Sequence, residues 1–199
     1  GYGSANNEII KECKTKYLLI LNPDTVLNKS CELELLKSIN KKNLDFSIIA
    51  PLSQDKNFGL ITKGLEFKKI GIFETNYVKG FALLIDVKII KKIGMFDKNI
   101  FLYFEEIDLC KRLSENNFKI YVNTKAKIFH KAAKSSNIGF EFEKCRHWHW
   151  MWSSVYYKKK YSNYLEALIN FVPLVFTSLL KMIFYTFIFK KKKIVINYM

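Results

Sequence analysis

Three short stretches of this 199-residue chain carry side chains suited to chemistry. In the first, Asn22-Pro23-Asp24-Thr25 follows the apolar run Tyr17 to Leu21. A carboxylate placed there can hold Mg²⁺ or Mn²⁺, hard cations that take oxygen ligands and bridge phosphate oxygens. The same four residues also read as a plain Asx-type turn after a strand. In the second, Phe101 to Arg112 sets Glu105, Glu106 and Asp108 beside aromatic and aliphatic residues. Apolar walls raise the pKa of a carboxyl and suit it to accept a proton. Equally, acids in the first turn of a helix favour its positive end, and Asp108 and Arg112 have the i,i+4 spacing of an ion pair. The aromatic run ahead of the acids, which a solvated helix start does not need, tips the balance towards a site. In the third, His130 closes Ile128-Phe129-His130, with Ser135-Ser136 just beyond. Its imidazole could ligate a metal or donate to a phosphate, although a lone His at a strand end is more commonly structural.

The elements that must position these residues follow from the apolar pattern. Tyr17 to Leu21 is a short continuous run closed by a breaker, the pattern of a strand buried on both faces. Asp24 then lies beyond its carboxyl end, where open α/β sheets bind ligands. Phe46 to Ala50, stopped by Pro51, and Phe81 to Ile85 read as two further strands, and Lys119 to Val122 and Lys127 to Phe129 as two short ones. Helices are expected over Asn6 to Lys14, over Cys31 to Asn40, after a cap at Asp86 and up to Gly94, and in the second half of Phe101 to Leu113. Ser53 to Lys79 is polar and irregular. The sum is an α/β domain over residues 1–136.

Residues 137–199 behave differently. His147-Trp148-His149-Trp150-Met151-Trp152 leads to Lys158-Lys159-Lys160, then to an apolar segment over 165–189 closed by Lys190 to Lys193. At about 1.5 Å per residue, Ala167 to Phe189 is long enough to cross a bilayer. Glu166, Asn170, Pro173, Thr177, Lys181 and Tyr185 recur every three or four residues, however, and form one polar stripe. Such a stripe suits a helix lying in the membrane interface, with the Trp, Tyr and Lys residues as anchors. A helix that packs in a core or forms an oligomer is the alternative.

Lys and Arg outnumber Asp and Glu by 33 to 18, a net charge of +15 that favours anionic partners. The lysines are dispersed and no nucleic-acid motif occurs, which argues against a nucleic-acid protein. The four cysteines form no CxxC pair and read as reduced and intracellular.

Taken in order, Gly1-Tyr2-Gly3-Ser4-Ala5-Asn6-Asn7, Asn22-Pro23-Asp24, Lys79 to Ile85, Ile93-Gly94-Met95-Phe96-Asp97, Phe101 to Arg112, His130 and Ser135 resemble the rhamnosyltransferase-like branch of the family 2 glycosyltransferases. The resemblance covers about the first 136 residues. It implies a GT-A fold, which is a Rossmann-like α/β sandwich, a nucleotide-diphosphate sugar donor, and Mg²⁺ or Mn²⁺. Asp24 matches the last acid of the metal-binding DxD element, with Asn22 in place of the first and His130 as a further ligand. Glu106 matches the catalytic base, the second member of a Glu-Asp pair begun by Glu105, with Asp108 beside it. Gly80 and Phe81 match the acceptor side. Asp97 matches the acid of a Phe-Asp-Glu element, with Lys98 where Glu is usual. The family's first βαβ units have no counterpart here, so an N-terminally truncated enzyme is expected, with a non-catalytic remnant as the alternative. The function implied is inverting transfer to a saccharide or lipid-linked acceptor in cell-surface polysaccharide synthesis. The enzyme would act at the cytoplasmic face of the membrane, held there by its tail.

Overall fold

The computed structural model describes residues 1–53, 70–130 and 139–189, except the side chains of 130, 139–144, 170, 174, 178 and 181–189. The chain forms two compact units, one of residues 1–99 and 105–137, the other of residues 100–104 and 138–199.

In the first unit the apolar runs pair into one mixed sheet. Its strands are β1 (Tyr17–Leu21), β2 (Thr25–Leu27), β3 (Ile48–Ser53), β4 (Ile72–Glu74), β5 (Ala82–Asp86) and β6 (Ile120–His130). The order is β1-β5-β3-β6-β2, with β4 also on β6. Among the described strands only β3 and β6 run parallel. Strand residues alternate between two cores, as a period of two requires. Ile48, Leu83 and Ile85 point into one, with Ile10 of α1 (Tyr2–Glu12), Ile90 of α3 (Val87–Lys92) and Leu109 and Leu113 of α4 (Glu105–Glu115). Ile49, Ala82 and Leu84 point into the other, with Cys31 and Leu35 of α2 (Cys31–Ile39). The sheet is therefore a layer between helices.

Three details depart from the sequence pattern. The β1 run is not buried on both faces: only Ile20 is buried and Leu21 is exposed. Its position at the end of the strand order explains this, since β5 alone flanks it among the described strands. Pro51 does not stop β3 but lies inside it. The β3–β6 register passes there from Pro51 opposite Asn123 to Leu52 opposite Lys127. Proline has no N–H to give the ladder, so the irregularity falls where a hydrogen bond is missing anyway. The two short strands expected around 119–129 are one strand, β6, interrupted by that same irregularity. The Asn123 carboxamide oxygen accepts from the Lys125 and Ala126 N–H groups, 2.9 and 3.4 Å away, and satisfies the loosened backbone.

The loop between α3 and α4 is fixed from two sides. Asp86 caps α3, accepting from the Ile89 N–H at 3.1 Å, and Gly94 ends it with φ of +92°. Arg112 of α4 then donates to the Ile93 and Met95 carbonyls at 2.7 and 2.5 Å, while its Nε donates to Asp108 at 2.8 Å. From α1, the Asn7 side chain makes both hydrogen bonds to the Phe96 backbone, at 2.8 and 3.0 Å. Gly3 lets α1 come this close, because a Cβ there would lie 2.9 Å from Phe96 Cβ.

In the second unit, α5 (Gly139–Tyr161) and α6 (Tyr164–Phe189) pack together. Residues 100–104 join α5: Ser153 Oγ donates to the Leu102 carbonyl at 2.8 Å, and Phe101 stacks on His149 at 4.3 Å. Among the described residues no helix is long and apolar enough to cross a membrane. On α6, Ala167 is buried, whereas Leu165, Ile169, Val172, Phe176 and Leu179 are exposed at alternating spacings of four and three. Ser135, Ser136, the side chains of Asn170, Lys181 and Tyr185, and the Lys190 to Lys193 run lie outside the described residues.

The Asp108–Arg112 pair, with side chains 0% and 17% exposed, yields the first prediction. Asp108→Ala leaves a guanidinium buried without its carboxylate and should cost about 3–5 kcal/mol in a denaturant titration. Glu74→Ala, which removes an exposed pair with Lys119, should leave the midpoint nearly unchanged. Equal midpoints for the two variants would refute the role given to the buried pair.

Candidate active site

Helix geometry sorts the three acids of α4. Glu105 and Asp108 are one turn apart and share a face, and both are buried. Glu106 lies about 100° round the helix from Glu105, since a turn takes 3.6 residues. It is half-buried against the segment that leads into β5. Its Oε1 accepts from the Tyr77 hydroxyl at 3.2 Å. A Cβ on Gly80 would meet Glu106 Cβ and Cδ at 3.6 and 3.7 Å and the Tyr2 hydroxyl at 3.5 Å. Gly80 therefore sits between the two side chains, and its carbonyl accepts from Tyr2 at 2.5 Å.

Electrostatics follows from this packing. Burial pushes the Glu106 carboxyl above its ordinary range. Its own backbone N–H, the Tyr77 hydroxyl, the Lys79 charge and the Gly80 N–H pull the other way without cancelling the shift. Burial also raises the Tyr77 and Tyr2 phenols, and the Glu106 charge raises them further. Both hydroxyls stay protonated and act as donors. Cys110, one turn beyond Glu106, has its thiol pushed up to about 12, chiefly by burial. It is inert near neutral pH. The arrangement can hold a carboxylate that accepts a proton, with a phenol to orient it.

Asp108 is fully buried and pairs with Arg112, the i,i+4 partner its spacing offered. Asp97 Oδ1 accepts from the Asn99 N–H at 2.9 Å and holds the turn after Phe96. Phe81 is buried, and its carbonyl accepts from the Asn22 N–H at 2.9 Å and from Thr25 Oγ1 at 3.2 Å. These bonds shape the turn that carries Asp24, which is half-buried. The β2–β6 register sets Thr25 opposite His130, so the backbone brings the Asp24 turn and the end of β6 together. Among the described residues no group of three or more His, Cys, Asp or Glu could hold a metal. One carboxylate is still consistent with Mg²⁺, which keeps several waters and binds through one or two carboxylates plus substrate phosphates.

Two site residues escaped the sequence reading. Tyr77 lay in a stretch read as irregular, and nothing local marks it as a partner of Glu106. Tyr2 lay in the Gly1 to Asn7 segment that carries the resemblance, where it was given no role, although an aromatic flanked by glycines was a visible signal.

No family model matches the chain. It is 26% identical over 140 residues to the low-salt glycan biosynthesis hexosyltransferase Agl10 of Haloferax volcanii. The match covers 60% of this chain and 45% of that protein, so the chain spans less than half of its relative's length. The chain is thus a distant relative of a hexosyltransferase, and its mixed α/β sheet accords with a glycosyltransferase-like role.

Proposed function

We propose that the first unit is the base-bearing part of an inverting glycosyltransferase. Its donor is a nucleotide-diphosphate sugar, a hexose or rhamnose, and its acceptor a saccharide or lipid-linked saccharide of a surface polymer. The observation that carries this reading is Glu106, a carboxylate raised by burial and oriented by Tyr77 beside Gly80. In its ionised form Glu106 takes the proton of an acceptor hydroxyl. The acceptor oxygen attacks the anomeric carbon from the face opposite the diphosphate, the bond to the diphosphate breaks, and the configuration inverts. A single base suffices for one displacement. Asp24, with His130 as the expected second ligand, would hold Mg²⁺ or Mn²⁺. The cation's contribution is to neutralise charge on the leaving diphosphate.

The second unit supports a membrane-facing acceptor. The exposed apolar residues Leu165, Ile169, Val172, Phe176 and Leu179 share one side of α6, and Lys158 to Lys160 are exposed at the end of α5. Such a surface suits the interface of an anionic bilayer at the cytoplasmic leaflet.

Two predictions follow from this reading. With Mn²⁺ and a panel of nucleotide-diphosphate sugars, the full chain should transfer or hydrolyse one donor. Glu106→Gln should lower transfer by roughly 10²–10⁴-fold, the usual size of a general-base contribution. Wild-type transfer by that variant removes Glu106 from the role. The chain should also float with phosphatidylglycerol vesicles, and Ile169→Asp with Phe176→Asp should abolish flotation. Flotation unaffected by the double substitution would sink the membrane reading.

A further inference from the structure

Within the second unit, Tyr103 and the α5 residues Arg146, His147 and Trp150 line an open cavity of about 410 Å³. That volume lies in the range of small-molecule sites, about 300–1,000 Å³. Arg146 Nε donates to the Tyr103 hydroxyl at 2.6 Å, and its guanidinium lies 6.0 Å from the centre of that ring. Trp150 is 44% exposed, although the Phe104 ring lies only 6.4 Å from it. The wall is held in an unusual backbone. Tyr103 and Phe104 have φ of +66° and +71°, two successive bulky residues in the left-handed region. Bulky residues rarely adopt it, and such strain gathers at ligand sites, where surrounding contacts enforce it. Phe104 is enforced in this way by Trp150 and by Tyr157 at 5.5 Å, and Tyr103 by Arg146.

The wall combines flat aromatic faces with a planar cation. Aromatic faces pack against the C–H face of a sugar, and the indole N–H can donate to a hydroxyl. A guanidinium recognises a carboxylate or phosphate through its fork of donors. We infer that this cavity binds a sugar ring carrying an anionic group, a phosphate ester or a carboxylate. That the ring is a sugar rests on the glycosyltransferase reading, whereas the requirement for an anion rests on Arg146 alone. None of this was legible as a site in the sequence, because Tyr103 and Arg146 are far apart in the chain.

The test is binding, read by ¹⁵N indole NMR on the full chain with Trp150→Phe assigning the resonance. Glucose 1-phosphate should shift the Trp150 signal saturably and bind about tenfold or more tightly than glucose or inorganic phosphate. Arg146→Gln should reduce that affinity to the level of glucose, and Arg146→Lys should retain part of the preference. The same sugar phosphate on a prenyl chain in detergent micelles separates the sources. Tighter binding marks a lipid-borne ligand, and equal binding a soluble one. Binding is read at Trp150 and not as transfer, so a failed transfer reaction leaves this result readable. No saturable shift at Trp150, glucose or inorganic phosphate binding as tightly as glucose 1-phosphate, or unchanged affinity in Arg146→Gln overturns the inference.

Discussion

The contact between Asp108 and Arg112 governs the site more than any other. A carboxylate with no exposure is tolerable only if a cation and further hydrogen bonds replace its water. Arg112 answers that need and, with its other nitrogens, holds the Ile93 and Met95 carbonyls. One guanidinium therefore fixes both the rotation of α4 and the path of the loop before it. Asn7 completes the frame by clamping the Phe96 backbone from α1.

With α4 held in that rotation, Glu106 has little choice of position. Asp108 and Glu105 face inward, and Glu106 meets Tyr77 and the bare Gly80. The two neighbouring acids then have different chemistry from the same helix turn. Asp108 is ion-paired and structural. Glu106 accepts from a phenol, and burial keeps its carboxyl raised although Tyr77 and the Lys79 charge pull it down.

The α/β pattern, the caps of α3 and the Asp108–Arg112 spacing were legible in the sequence because they are local. Apolar runs, an Asp before a helix and an i,i+4 pair each act within one or two turns. What lay beyond reach is non-local. The half-exposed state of β1 comes from its place in the strand order, which Tyr17 to Leu21 does not encode. The continuity of β6 through Thr124 depends on its register with β3 at Pro51. Tyr77 and Tyr2 reach Glu106 across 29 and 104 positions respectively only after the sheet has formed. The Asp97 contact to Asn99 and the Asp108 contact to Arg112 are, by contrast, short-range in the chain.

The proposed role as a base rests on Glu106, and that is where it can be checked physically. The most direct measurement is its titration, followed by ¹³C carboxyl NMR and assigned with Glu106→Gln. The account predicts a midpoint above the ordinary glutamate value of about 4.3. It also predicts a further rise in Tyr77→Phe, because the lost hydroxyl favours the ionised form. A midpoint at or below the ordinary value, or one unmoved by Tyr77→Phe, would contradict it.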